Sequence, residues 1–177
     1  PITRAAVVTH GRVEQIGSGL ARLQTVAREA GVELLLGPDE AGKHGMPSSE
    51  QLEDADIAVV LGGDGTMLRA LARFLGAGIP VVGVNFGRVG FLSSVARSEL
   101  EKGMARVFAG GYEVVELATL EVVAGEKRFV AVNDAVVTSA QLGRMVELEW
   151  AVGGERLGRV PCDGLICSTP SGSTAYN

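Results

Sequence analysis

The chain has 177 residues, 46% hydrophobic and 21% charged, which suits one large globular domain or one domain with part of a second. Its net charge is −5 and no segment gathers Lys or Arg, so a nucleic-acid partner, which needs a basic surface to neutralise phosphates, is not expected. No apolar run reaches the length of a membrane span and no signal pattern opens the chain, so a soluble, cytoplasmic protein with no membrane partner is expected. Aromatic residues make up only 5% and glycines number 25, a composition of small-residue packing and tight turns. Cys162 and Cys167 stand in an apolar stretch far in sequence from His10 and His44, and read as packing thiols of a reducing compartment. The two histidines read as surface residues.

Residues 5–9 form a short valine-rich run, the first expected strand. Val13, Ile16, Leu20, Leu23, Val26 and Ala30 then recur at helical spacing up to the stop signal Gly31. Residues 32–36 read as a second strand, and the Gly-, Pro- and Ser-rich residues 37–49 as a flexible loop. Residues 57–61 are apolar throughout, as in a parallel strand covered on both faces. The glycine turn Gly62-Gly63-Asp64-Gly65-Thr66 follows directly. Beyond it Met67, Leu68, Leu71, Ala72 and Leu75 make one helical face, Arg69 and Arg73 the other. Residues 79–84 read as a further buried strand, and this alternation predicts a parallel α/β sheet. After Gly110-Gly111 the character changes. Residues 113–123, 129–138 and 146–152 read as long β segments without helices between them, the start of an antiparallel domain.

Four clusters carry chemistry. A strand ending in glycines before a helix lets backbone N–H groups approach an anion, and Asp64 projects a carboxylate into the same space. Such a carboxylate repels phosphate unless it holds a cation or takes a proton, which points to metal-assisted phosphoryl transfer. The second cluster, Asn85-Phe86-Gly87-Arg88-Val89-Gly90-Phe91-Leu92, follows the next parallel strand and should share the ligand-binding edge with the glycine turn. Read alone, it is equally a loop whose glycines serve positive φ. The third, Asn133-Asp134, interrupts an apolar run, and fits either a ligand contact or a β-bulge or edge position. The fourth runs from Asp163-Gly164 through Ser168, Thr169, Pro170, Ser171, Gly172, Ser173, Thr174, Ala175 and Tyr176. Its small hydroxyls beside an aromatic suit a ribose and a flat ring, while Asp163-Gly164 alone could be a simple turn.

Taken in order, Gly62-Gly63-Asp64-Gly65-Thr66, Asn85-Phe86-Gly87-Arg88-Val89-Gly90-Phe91-Leu92, Asn133-Asp134 and Thr169-Pro170-Ser171-Gly172-Ser173-Thr174-Ala175-Tyr176 closely resemble the NAD kinase family. The first motif is shared with diacylglycerol kinases; the last is far more specific. The resemblance implies phosphorylation of the 2′-hydroxyl of the adenosine ribose of NAD, with ATP or polyphosphate as donor and Mg²⁺ or another divalent cation. It implies that Asp64 activates the hydroxyl and that Gly62, Gly63, Gly65 and Thr66 face phosphates. Asn133, Asp134, Asp163, Ser171, Thr174, Ala175, Tyr176 and Phe91 would contact the dinucleotide, with Asn85 and Gly90 on the same edge. No metal-ligand set is identified, and Arg88 is a phosphate clamp only by location.

The fold implied is a Rossmann-like parallel α/β domain over 1–110, followed over 111–177 by the start of a β-rich, antiparallel, sandwich-like NAD-binding domain. Its remainder is expected to lie beyond this chain, and a homo-oligomer, dimer or tetramer, is implied. Two positions depart from the family pattern: Asp134 stands where Glu is usual, and Ser171 where Thr is usual. The alternatives are a diacylglycerol-type lipid kinase, which would need an apolar groove, and a binding-only NAD protein.

Overall fold

The computed structural model describes residues 2–87, 92–141 and 143–175. It divides into two compact units, residues 1–115 and 116–177.

The first unit is built on a five-stranded sheet in the order β2-β1-β3-β4-β5. Its strands are β1 (Arg4–Thr9), β2 (Glu33–Leu36), β3 (Ile57–Gly62), β4 (Val81–Asn85) and β5 (Val95–Ala96), all paired in parallel. β3 lies at the centre of the sheet and every one of its residues is buried, the reason it reads as an unbroken apolar run. Alternate residues serve opposite faces. Ala5, Val7, Ile57, Val59 and Leu61 pack with Leu20, Leu23 and Val26 of α2 (Gly19–Ala30) and with Leu100, Met104, Val107 and Phe108 of a later helix. Ala6, Val8, Ala58 and Val60 pack with Met67 and Ala70 of the helix after β3, and with Leu52 and Phe74.

Several local expectations are corrected. The helical stripe from Val13 is two helices, α1 (Val13–Ile16) and α2, because Gly17 turns the chain with φ +50° between them. Residues 37–49, expected as a flexible loop, contain α3 (Pro38–His44). Proline at its first position, Asp39 and Glu40 in the first turn and left-handed Gly45 after its end are ordinary helix signals, and burial of Glu40 and Ala41 anchors it. After α4 (Asp64–Arg73) and β4, the helix α5 (Leu100–Phe108) was not foreseen, although Leu100, Met104, Val107 and Phe108 recur at helical spacing.

The second unit is antiparallel, as its β-type composition suggests, and among the described residues its strands pair in three two-stranded ladders. β6 (Leu120–Ala124) pairs with β7 (Lys127–Ala131), β8 (Asp134–Thr138) with β11 (Gly164–Ser168), and β9 (Val146–Val152) with β10 (Glu155–Cys162). Gly153 and Gly154 both take positive φ, the requirement of a two-residue hairpin turn, and so create β10 where no strand was read. The segment expected as one strand over 129–138 is broken at Val132 and Asn133, and residues 113–119 precede β6 without regular structure. Cys162 is half-buried and Cys167 exposed, so Cys167 is not a core thiol.

Candidate functional site

In the first unit the chain leaves β1 towards β2 on one side, and reaches β3 on the other. That reversal opens a crevice at the carboxyl ends of β1 and β3, where open parallel sheets bind ligands. The glycine turn stands there. Gly63 is the extended residue before α4, and Asp64 is the helix's first residue. The backbone N–H groups of Thr66 and Met67 both point back to the Gly63 carbonyl, at 3.0 Å each. Asp64 Oδ1 accepts a hydrogen bond from the Leu92 N–H at 3.2 Å, which orients the carboxylate at the helix N-terminus.

The glycines act by closeness. Gly62, Gly63 and Gly65 are not among the positive-φ residues. A Cβ on Gly62 would overlap the buried Thr66 side chain, and one on Gly63 would stand 3.5 Å from Gly87 Cα. At Gly65 it would meet nothing within 4 Å, so that face of the turn is open.

Asn85 lies at the same edge, as expected: it is the register partner of Gly62, and the Phe86 N–H donates to the Gly62 carbonyl at 2.8 Å. Asn85 Oδ1 accepts from the Gly87 N–H at 2.8 Å, which turns the chain away from β4. The Phe86 ring is wedged above Gly19, where a Cβ would come within 2.5 Å of Cζ, and Arg97 lies 5.1 Å over the ring centroid. Sequence reasoning missed this Phe86–Gly19–Arg97 clamp, because its members are far apart in the chain. It also passed over the segment after β1. There the His10 N–H donates to the Leu61 carbonyl at 2.8 Å, tying β1 to β3, and exposed Arg12 follows. Arg88, Gly90 and Phe91 lie outside the described residues.

The second unit joins the third and fourth clusters. Asp134 pairs in register with Ser168. Thr169 is buried; its N–H donates to the Asn133 carbonyl at 2.8 Å and its hydroxyl to the Val132 carbonyl at 2.7 Å. The Gly172 N–H returns to Thr169 Oγ1 at 3.0 Å. A Cβ on Gly172 would overlap the Asn133 carbonyl, so only glycine lets the hydroxyl-rich turn close on the Val132–Asn133 bend. Ser171 is half-buried in this turn, while Thr174 and Ala175 are exposed. Asp163 is not part of that group. It precedes β11 at the far end of the ladder, about 17 Å along the strand from Ser168 at ordinary strand rise, where its carbonyl accepts from the Thr138 hydroxyl. Tyr176 lies outside the described residues.

An open parallel sheet with a glycine turn and carboxylate at its chain reversal, followed in the chain by antiparallel ladders, defines a two-unit protein, parallel α/β and then antiparallel β. Comparison with known proteins narrows this. The family model for the ATP-NAD kinase N-terminal domain matches residues 44–112, and that for the ATP-NAD kinase C-terminal domain matches residues 132–177. The chain belongs to the NAD kinase family. It is 44% identical over 130 residues to an NAD kinase of Nitratidesulfovibrio vulgaris (Miyazaki F), an alignment covering 71% of this chain and 46% of that one. The structure of an Archaeoglobus fulgidus NAD kinase in complex with ATP matches with a TM-score of 0.75 at 29% identity, over 98% of this chain and 64% of the other. Yeast NADH kinase complexed with NADH shares the fold at a TM-score of 0.83 and 22% identity, over 99% of this chain and 60% of its own. The chain thus spans about half the length of the curated relatives it matches, for example 46% and 53%.

Proposed function

We propose that this chain carries the phosphoryl-transfer turn and the first part of the dinucleotide-binding unit of an NAD kinase, with an α/β domain over 1–110 and the start of the β-rich one over 111–177. The enzyme transfers a phosphoryl group from ATP, or from polyphosphate, to the 2′-hydroxyl of the adenosine ribose of NAD. The observation that carries this reading is Asp64 as the first residue of α4, beside Gly65, whose face of the turn is open, in a chain matched by both family domains.

Asp64 accepts the proton of the ribose hydroxyl as its oxygen bonds to the donor phosphorus and the bond to the leaving phosphate breaks. Gly62, Gly63, Gly65 and Thr66 hold donor phosphates, Asn85 and Gly90 bind nucleotide, and Phe91 contacts the dinucleotide. Asn133, Asp134, Ser171, Thr174, Ala175 and Tyr176 contact NAD, and Asp163 contacts it from the other end of the β8–β11 ladder. Arg12, exposed after β1, supplies a cation next to the crevice. Among the described residues no three of His, Cys, Asp or Glu gather as a metal site. A Mg²⁺ would therefore be held chiefly by the donor phosphates with Asp64, a mode usual for this ion, and would neutralise phosphate charge. We place the enzyme in the cytoplasm as a homo-oligomer. No helix among the described residues is long and apolar enough to cross a membrane.

A lipid kinase is not favoured, because the family models match NAD kinase domains in both units. The test is NADP formation from NAD, ATP and Mg²⁺ by the gene-encoded full-length protein and its Asp64→Asn variant. Product that disappears in the variant is expected. Absence of product from folded full-length protein, with polyphosphate also tried, would overturn the proposal.

A further inference from the structure

The arginine face of α4 takes no part in the site just described. Arg69 and Arg73, one turn apart, line a cavity of about 250 Å³ together with Lys43, Glu40, Asp39, Gly37, Val7 and Leu52. It opens beside the carboxyl ends of β1 and β2, within the first unit. Its charges are unequally engaged. Glu40, only 8% exposed, is held at both oxygens: Thr9 Oγ1 donates to Oε2 at 2.5 Å, and Lys43 Nζ lies 3.0 Å from Oε1. Arg69 Nη2 donates to the Thr9 carbonyl at 3.0 Å, which leaves its other donors for the cavity. Arg73 makes no hydrogen bond or ion pair with the described residues. Its guanidinium stands on the Gly37 side of the cavity: a Cβ on Gly37 would lie 3.6 Å from Arg73 Nη2, an ordinary contact, and 3.1 Å from Leu52 Cδ1. With Glu40 matched by Lys43, two guanidinium groups face only Asp39, a net positive cavity.

We propose that this cavity is a second anion site, taking a compact phosphate-class oxyanion between Arg73 and Arg69 with Lys43 at its border. It is separate from the glycine turn and does not depend on the phosphotransfer reading. Planar guanidinium groups suit paired oxyanion contacts, and the buried Glu40 fixes the Lys43 ammonium. Inorganic phosphate and the phosphate group of a sugar phosphate share this chemistry.

The test is a titration of the folded chain at low ionic strength with inorganic phosphate and, in parallel, glucose 6-phosphate, read by ¹H–¹⁵N NMR. Saturable shifts of residues 37–43 and of the Arg73 side chain are expected with at least one probe, and the tighter probe identifies the source. Arg73→Gln should weaken that binding about tenfold, as for loss of a charged hydrogen bond. Arg22→Gln, the same charge change on α2, should leave it unaltered. Shifts confined to residues 62–66, binding unchanged in Arg73→Gln, or no saturable shift with either probe would overturn the proposal.

Discussion

Asp64 and the glycines around it show how single residues divide the work of the turn. Asp64→Asn keeps size and loses the proton acceptor. In the full-length enzyme it is expected to lower kcat by about 10²–10⁴, roughly 3–5 kcal/mol of barrier, while NAD affinity measured by calorimetry changes little. Equal loss of binding and turnover would make Asp64 a structural residue. The glycines are not equivalent. A Cβ on Gly62 would drive into buried Thr66, whereas one on Gly63 makes ordinary contact with Gly87. Gly62→Ala should therefore lower the thermal midpoint more than Gly63→Ala, by overpacking of about 1–3 kcal/mol, measured by calorimetric unfolding. The residue types at these positions were legible in the sequence because a glycine run after an apolar run has few uses. Gly172 was not legible in the same sense. Its need arises from the Asn133 carbonyl, and no local pattern reports an approach between segments that distant.

At the scale of elements, α2 and α5 cover one face of the sheet and are tied by Arg22, whose Nε and Nη2 reach the two oxygens of Glu101 at 2.5 and 2.6 Å. The Arg22 hydrogen bonds hold the Glu101 carboxyl down from 4.5 to about 2. A carboxyl lowered in the folded state stabilises above its unfolded value, and the contribution disappears as pH falls through the folded one. The window is thus between about pH 4.5 and 2. Glu101→Gln should reduce the stability lost on acidification through that window, measured by urea unfolding at pH 5 and pH 2.5. An equal acid loss in the variant would show that the tie does not matter. Asp56 adds to the same trend: the backbone N–H groups of Thr3 and Arg4, and the Thr3 hydroxyl, hold its carboxyl below the usual carboxylate range where β1 begins. α3 and α5 are the helices, and β10 a strand, that the sequence pattern did not show. In α3 the loop-forming residues Gly37, Pro38 and Gly45 sit at the helix ends, where they are start and stop signals, and Gly42 alone lies within. α5 carries a plain apolar stripe, Leu100, Met104, Val107 and Phe108, just before the change of character near Gly110.

Across the whole molecule the two units differ in how their strands are supported. β1, β3 and β4 have neighbours on both edges and helices over the sheet, whereas the described residues of the second unit pair as two-stranded ladders with Phe129, Val136, Val137 and Trp150 exposed. Isolated ladders of two strands are marginal in water. Hydrogen exchange of the chain should therefore protect β1 and β3 most, with β6–β7 and β9–β10 exchanging much faster; comparable protection would contradict this account. By itself the sequence determined the parallel α/β character of the first unit, the β character of the second and the residue types in all four clusters. Each of these depends on local signals: unbroken apolar runs, helical spacing and glycine turns. Only the tertiary structure decided that β1 and β3 flank the chain reversal, that Gly62 pairs with Asn85, and that Thr169 hydrogen-bonds the Asn133 carbonyl while Asp163 lies at the other end of the ladder. Strand order and register follow from packing between distant segments, and such contacts leave no periodicity in the chain that makes them.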